Sequence, residues 1–143
     1  MRALAWFMAL GVAVAFVALA LFLFSPQSHI RVPAVATLVT LLAVQLAFMG
    51  GIESGCALAA ERSGRAEPLA QLLGWIPAIG GFGVLWLPNT ALQLRISLAL
   101  IIVAFAIDAW LVRRALLPRW FMAVRAAFTA LSAAALGLAL YLA

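Results

Sequence analysis

Five long apolar runs fill nearly the whole chain, divided by four short breaks of turn-forming or charged residues. The runs fall at about residues 3–24, 32–60, 68–87, 91–112 and 120–143. A helix that crosses the hydrocarbon core needs about 20 mostly apolar residues, and each run is about that long. The breaks read Ser25-Pro26-Gln27-Ser28, Glu61-Arg62-Ser63-Gly64-Arg65, Pro88-Asn89, and Arg113-Arg114 up to Pro118. In lipid every backbone donor and acceptor must be satisfied within its own segment, so the runs predict helices. Spanning strands would alternate apolar and polar positions over about ten residues, and no run does. The expected architecture is all-α: one integral membrane domain over residues 1–143, a bundle of five transmembrane helices.

Composition supports the membrane reading and removes its main rivals. Of 143 residues, 69% are hydrophobic and 9% charged, with a mean hydropathy of +1.23. Soluble domains are about 45–50% apolar and about 25% charged, so this chain cannot cover a water-facing surface. A pI near 11.5 does not indicate nucleic-acid binding, because the nine positive residues, all Arg, stand singly or in pairs among apolar residues. The first run exceeds the 7–15 apolar residues of a secretory signal and lacks a small-x-small cleavage site, so it is expected to remain as the first helix.

The arginines also orient the chain. Arg2, Arg62, Arg65, Arg113, Arg114 and Arg119 fall on the side of the N-terminus, and only Arg31 and Arg95 on the other. The positive-inside rule then places the N-terminus in the cytoplasm and the C-terminus outside, in a bacterial inner (plasma) membrane. Trp6, Trp110 and Trp120 would sit at the inner interface, Trp86 and Tyr141 at the outer one. Arg113, Arg114 and Arg119 are candidates for contact with anionic lipid head groups.

Few residues carry candidate chemistry. Cys56 is the single cysteine and His29 the single histidine; Cys56 reads as a small packing residue and His29 as a solvated connector residue. No cofactor or metal is expected, since no Cys/His cluster occurs, and no hydrolase elbow or phosphate loop is present. In the second run Ala47, Gly51, Gly55 and Ala59 recur every four residues, with a GxxxG at Gly51/Gly55. Small residues let helices approach closely in lipid; the stripe predicts packing against a neighbouring span or, as the sharper alternative, against a second protein. In the third run Gly74, Pro77, Gly80 and Gly81 predict a kink near Gly74.

Charges within the runs are the strongest candidates. Glu53, Asp108 and Arg125 lie about seven, five and six residues from the same side, roughly 7–11 Å deep at 1.5 Å per residue. An unpaired charge at the centre of a span costs about 2.5–3.5 kcal/mol, which favours turning all three inward. Two carboxylates facing one guanidinium leave one negative charge over, or one proton bound. Gln45, two turns before Glu53, would extend the polar seam.

With these residues in view, residues 33–131 resemble the domain of unknown function 3429 family, a group that includes the mitochondrial transmembrane protein 69 of animals and many short bacterial proteins. Phe48-Met49-Gly50-Gly51-Ile52 followed by Gly55 is similar to the family's Gly-Gly signature, and Leu73-Gly74-Trp75-Ile76-Pro77 to its Leu-Gly-x-x-Pro. Asp108, Leu117-Pro118-Arg119-Trp120-Phe121, Arg125 and Thr129 are similar to its Asp and its Pro-x-Trp-Tyr…Arg…Leu-Thr run. Glu53-Ser54 stands where the family has a basic residue or His followed by Trp, and the family's first-helix Pro-Phe pair is missing. The resemblance therefore supports Asp108 and Arg125 but not Glu53, and implies a small multi-span protein without an established activity.

The leading expectation is a non-enzymatic accessory, scaffold or assembly component that binds other membrane proteins or a second copy of itself. The alternative is a small proton-linked transporter or channel using Asp108, Arg125 and Glu53; a weaker one is a lipid-binding protein.

Overall fold

The computed structural model describes residues 2–64 and 68–142, with side chains apart from those of residues 2–10 and Ala13. Arg65, Glu67 and Ala143, and the side chains of Arg2 and Trp6, thus lie outside the described residues. Five helices make up the described chain: α1 (Arg2–Leu23), α2 (Ser28–Arg62), α3 (Pro68–Val84), α4 (Thr90–Arg113) and α5 (Arg119–Leu142). Of these, α2, α4 and α5 are each long and apolar enough to cross a membrane. The protein is an all-α membrane bundle.

Short connections make consecutive helices neighbours. Each helix packs on the next, α5 returns to α1, and α2 also touches α4 across the middle, so the five close into a ring. The buried positions follow one rule in each helix from α2 to α5. They run through Val39, Ala43, Leu46, Gly50, Glu53 and Ala57 on α2 and Ala70, Gly74, Pro77, Gly81 and Val84 on α3. Steps of three and four alternate, giving the 3.5-residue period of helices packed at small crossing angles. On α4 the seam passes through Leu94, Ser97, Ile101, Ala104, Asp108 and Leu111, and on α5 through Arg125, Phe128, Ser132, Ala135 and Ala139.

The helix ends differ from expectation in two places. α2 begins at Ser28, so His29 and Arg31 belong to its first turns and not to a connector; helical hydrogen bonding continues past the apolar run into its polar flank. α3 ends at Val84, and Leu85, Trp86 and Leu87 follow in tight turns, each amide bonded three residues back. Pro88 explains that stop, because the residue before proline is driven out of the helical region. Asn89 then caps α4, its side-chain oxygen accepting from the Leu92 amide at 3.0 Å. At the other end of α4 the Leu116 amide bonds the Leu111 carbonyl at 3.0 Å, and Ala115 adopts φ +58°. That left-handed position usually holds glycine.

The small-residue stripe needs a correction. Ala47, Gly51, Gly55 and Ala59 are all exposed, and a Cβ placed on Gly51 or Gly55 would meet nothing within 4 Å. Among the described residues they pack on no other span. Steps of four advance about 40° round a 3.6-residue helix and drift off the seam, whereas alternating steps of three and four stay on it. Gly50 makes the close approach instead: a Cβ there would lie 2.2 Å from the Gly74 carbonyl oxygen of α3. α3 remains helical through Pro77; Gly74 and Gly81 lie against α2, and Gly80 against Leu100 of α4. Gly74, Gly80 and Gly81 thus admit neighbouring helices, whereas a Cβ on Gly83 would meet nothing within 4 Å.

Candidate functional site

The 3–4 seams carry Glu53, Asp108 and Arg125 to one level of the bundle interior. Asp108 and Arg125 meet directly: the Arg125 Nε–H donates to the Asp108 Oδ2. Their side chains are 1% and 2% exposed. It is the one ion pair among the described residues. Glu53, also 1% exposed, stands beside the Asp108 carboxylate. The sequence-predicted trio is thus brought together, but unequally. One carboxylate has the guanidinium, and neither Glu53 oxygen has a hydrogen-bond partner.

The wall around Glu53 is set by α3. A Cβ on Gly74 would lie 2.6 Å from Ser54 Oγ, 2.9 Å from the Gly50 carbonyl oxygen and 3.1 Å from Glu53 Cβ. Only a residue without a side chain lets α3 lie against the turn of α2 that carries Glu53. Ser54 Oγ donates across the same contact to the Gln71 carbonyl at 3.4 Å. The motif glycines Gly50 and Gly74 therefore close the space over the carboxylates.

Further polar atoms continue the seam. Gln45 Oε1, Asp108 Oδ1, Arg125 Nη2, Thr129 Oγ1 and Ser132 Oγ are all buried without a partner. Gln45 and Arg125 both border a cavity of about 380 Å³ between α1, α2 and α5, whose other described walls are apolar, among them Phe48, Met49, Val124 and Phe128. Ser97 and Ser132, 2% and 0% exposed, are seam residues that the run-by-run reading missed. Their signal was the 3–4 spacing from Asp108 and Arg125.

Other candidates stay apart from this cluster. Arg113, Arg114 and Arg119 are exposed, and the Arg114 guanidinium lies over the Trp110 ring, 5.2 Å from its centre. Cys56 is a half-buried free thiol. Among the described residues no set of three His, Cys, Asp or Glu side chains is placed to hold a metal ion.

Chemically, the site combines one sealed ion pair with one carboxyl that lacks an ionic partner. With all groups ionised it carries one net negative charge; one bound proton makes it neutral. No curated protein and no solved structure matches the chain. The landmarks that gather at this site, Gly50, Gly74, Asp108 and Arg125, lie within a match to one family model that spans residues 1–141, and the chain belongs to that family, described as a protein of unknown function, DUF3429.

Proposed function

We propose that this chain is a bacterial inner-membrane protein whose five helices all cross the bilayer, with the N-terminus in the cytoplasm and the C-terminus outside. It works without catalysis, as an accessory or assembly component that binds a helix of another membrane protein. The observation that carries this reading is the outward stripe of α2. Ala47, Gly51, Gly55 and Ala59 are exposed, and open space lies over both glycines. Helices associate in lipid through close van der Waals approach at small residues, and this approach face is unused among the described residues. The sealed Asp108–Arg125 pair fits the same reading, since it fastens α4 to α5 and leaves a rigid scaffold.

Orientation is supported by Arg62, Arg113, Arg114 and Arg119 at one end of the ring against Arg31 and Arg95 at the other. Trp86 and Tyr141, 76% and 86% exposed, lie at the Arg31 end as interfacial anchors. The binding test is a photo-crosslinker at Gly55, with Ile79 on the outer face of α3 as control. One discrete protein adduct at Gly55, abolished when Gly51 is replaced by Leu, is expected. A monomeric particle with no stoichiometric partner in mild detergent overturns the reading.

One observation favours a second reading: the two partnerless Glu53 oxygens beside Asp108. A carboxyl pair facing one cation can hold a single proton, which is the element a small proton-linked transporter requires. Asp108→Asn would then abolish flux in liposomes while the helices remain folded; unchanged flux excludes the role.

A further inference from the structure

At the end of the bundle remote from the carboxylates, a second cavity of about 270 Å³ opens between α1, α2, α4 and α5. Its polar rim is formed by Arg31, Thr90 and Gln93, and its wall includes Leu23, Val35 and Ala139. Arg31 is half-buried there and has no ion pair among the described residues. The sequence explains why. Its four acidic residues are Glu53, Glu61, Glu67 and Asp108. Glu53 is the nearest to Arg31 along α2 and stands about 33 Å away at 1.5 Å per residue. Asp108 is on the second half of α4, and Glu67 follows the far end of α2 in sequence. Among the described residues, no acidic side chain lies at this end to balance Arg31.

The rim is arranged to bind a polar group. The Gln93 amide nitrogen donates to the Leu87 carbonyl at 2.8 Å, which fixes the side chain and leaves its own carbonyl free to accept. Thr90 is exposed at the rim and brings a hydroxyl. The cation calls for an anion, the free carbonyl for a hydroxyl or amine donor, and the apolar wall for a hydrocarbon chain. A free inorganic anion satisfies only the first.

We propose that this cavity binds a membrane glycerophospholipid. The phosphodiester lies on Arg31 with the Thr90 hydroxyl donating to it, Gln93 accepts from a donor on the head group, and an acyl chain lies along Val32 and Val35. Phosphatidylglycerol, which carries both the charge and the hydroxyl donors, is preferred to phosphatidylcholine, which lacks a head-group donor. This site is separate from the exposed arginines Arg113, Arg114 and Arg119, and does not depend on the partner-binding reading of α2.

The test is native mass spectrometry of the full chain released from vesicles of phosphatidylglycerol and phosphatidylcholine in equal parts. A flexible C-terminal tag keeps the chain-terminal carboxylate away from Arg31. The expected result is a retained phosphatidylglycerol adduct, weakened at least about tenfold by Arg31→Gln, as loss of a charge-assisted contact requires. Arg95→Gln, an exposed arginine at the same end, leaves it unchanged. Thr90→Val weakens it to a smaller degree, which provides a second readout if Arg31→Gln does not fold. Equal adducts in the Arg31 and Arg95 variants overturn the proposal. So does displacement of the lipid by inorganic phosphate at matched ionic strength, which identifies a free-anion site.

Discussion

Arg125→Gln is expected to be the most damaging single substitution in the buried cluster, and the asymmetry among its three members is the sharper test. Asp108 and Arg125 are sealed from solvent, their side chains 1% and 2% exposed. Removing one partner of a buried pair costs about 3–5 kcal/mol. Arg125→Gln leaves two adjacent carboxyls with no cation, so its cost belongs at the top of that range. Asp108→Asn leaves Arg125 next to Glu53, whose oxygens have no other partner and can take over the guanidinium. Its cost is then closer to that of one charged hydrogen bond, about 1.5–3 kcal/mol. Glu53→Gln removes the surplus carboxylate while keeping the shape of the side chain, and leaves stability unchanged or higher. The Glu53→Gln/Asp108→Asn double variant strips Arg125 of both acids, so it falls to the level of Arg125→Gln, well beyond the sum of the single effects. Unfolding free energies in mixed micelles, from titration with a denaturing detergent followed by far-UV circular dichroism, supply the four numbers. The reasoning is refuted if Glu53→Gln is as destabilising as Arg125→Gln, or if the double variant is merely additive.

Four further substitutions probe the packing and the helix ends, each read as a shift in the same unfolding curve. Gly50→Ala places a Cβ 2.2 Å from the Gly74 carbonyl oxygen and is expected to cost at least about 1–3 kcal/mol, the range for overpacking. Gly55→Ala meets open space and should stabilise α2 by up to about 1 kcal/mol through helix propensity; the reverse order would mean that the inner and outer faces have been exchanged. Ala115→Gly relieves the left-handed φ of +58° and should raise stability, because the cost of a left-handed L-residue, about 1–2 kcal/mol, exceeds the about 0.4–1 kcal/mol that glycine's unfolded-state entropy takes back. Asn89→Ala deletes the 3.0 Å cap on the Leu92 amide and should lower it by about 0.5–2 kcal/mol.

The outward position of Gly51 and Gly55, where packing on a neighbouring span was the first expectation, shows what limits a reading of such a chain. In a water-soluble helix the inward face is marked by its hydrophobic residues. Here Val44, Phe48 and Leu58 are exposed on α2 while Leu42, Leu46 and Ala57 are buried, and nothing in their polarity separates the two sets. Lipid is as apolar as the protein interior, so the pattern does not report the azimuth of a helix. The polar residues do. Glu53, Ser97, Asp108, Arg125 and Ser132 all point inward, and stepping three and four residues from Glu53 leads to Gly50 and Ala57.

The sequence by itself determined the membrane setting, the five helices to within a few residues at most ends, and the common depth of the two acids and one base. These follow from quantities fixed along the chain: the length of apolar run that lipid demands, the rise per residue, and the stops imposed by Pro88 and Asn89. The tertiary structure alone decided which helix faces meet, that Gly50 and not Gly51 is the contact glycine, and that Arg125 bonds Asp108 while Glu53 stands without a partner. Those outcomes depend on the rotation of each helix about its own axis, which is set by how closely its neighbours can approach, and in a chain this uniformly apolar that rotation is decided by packing.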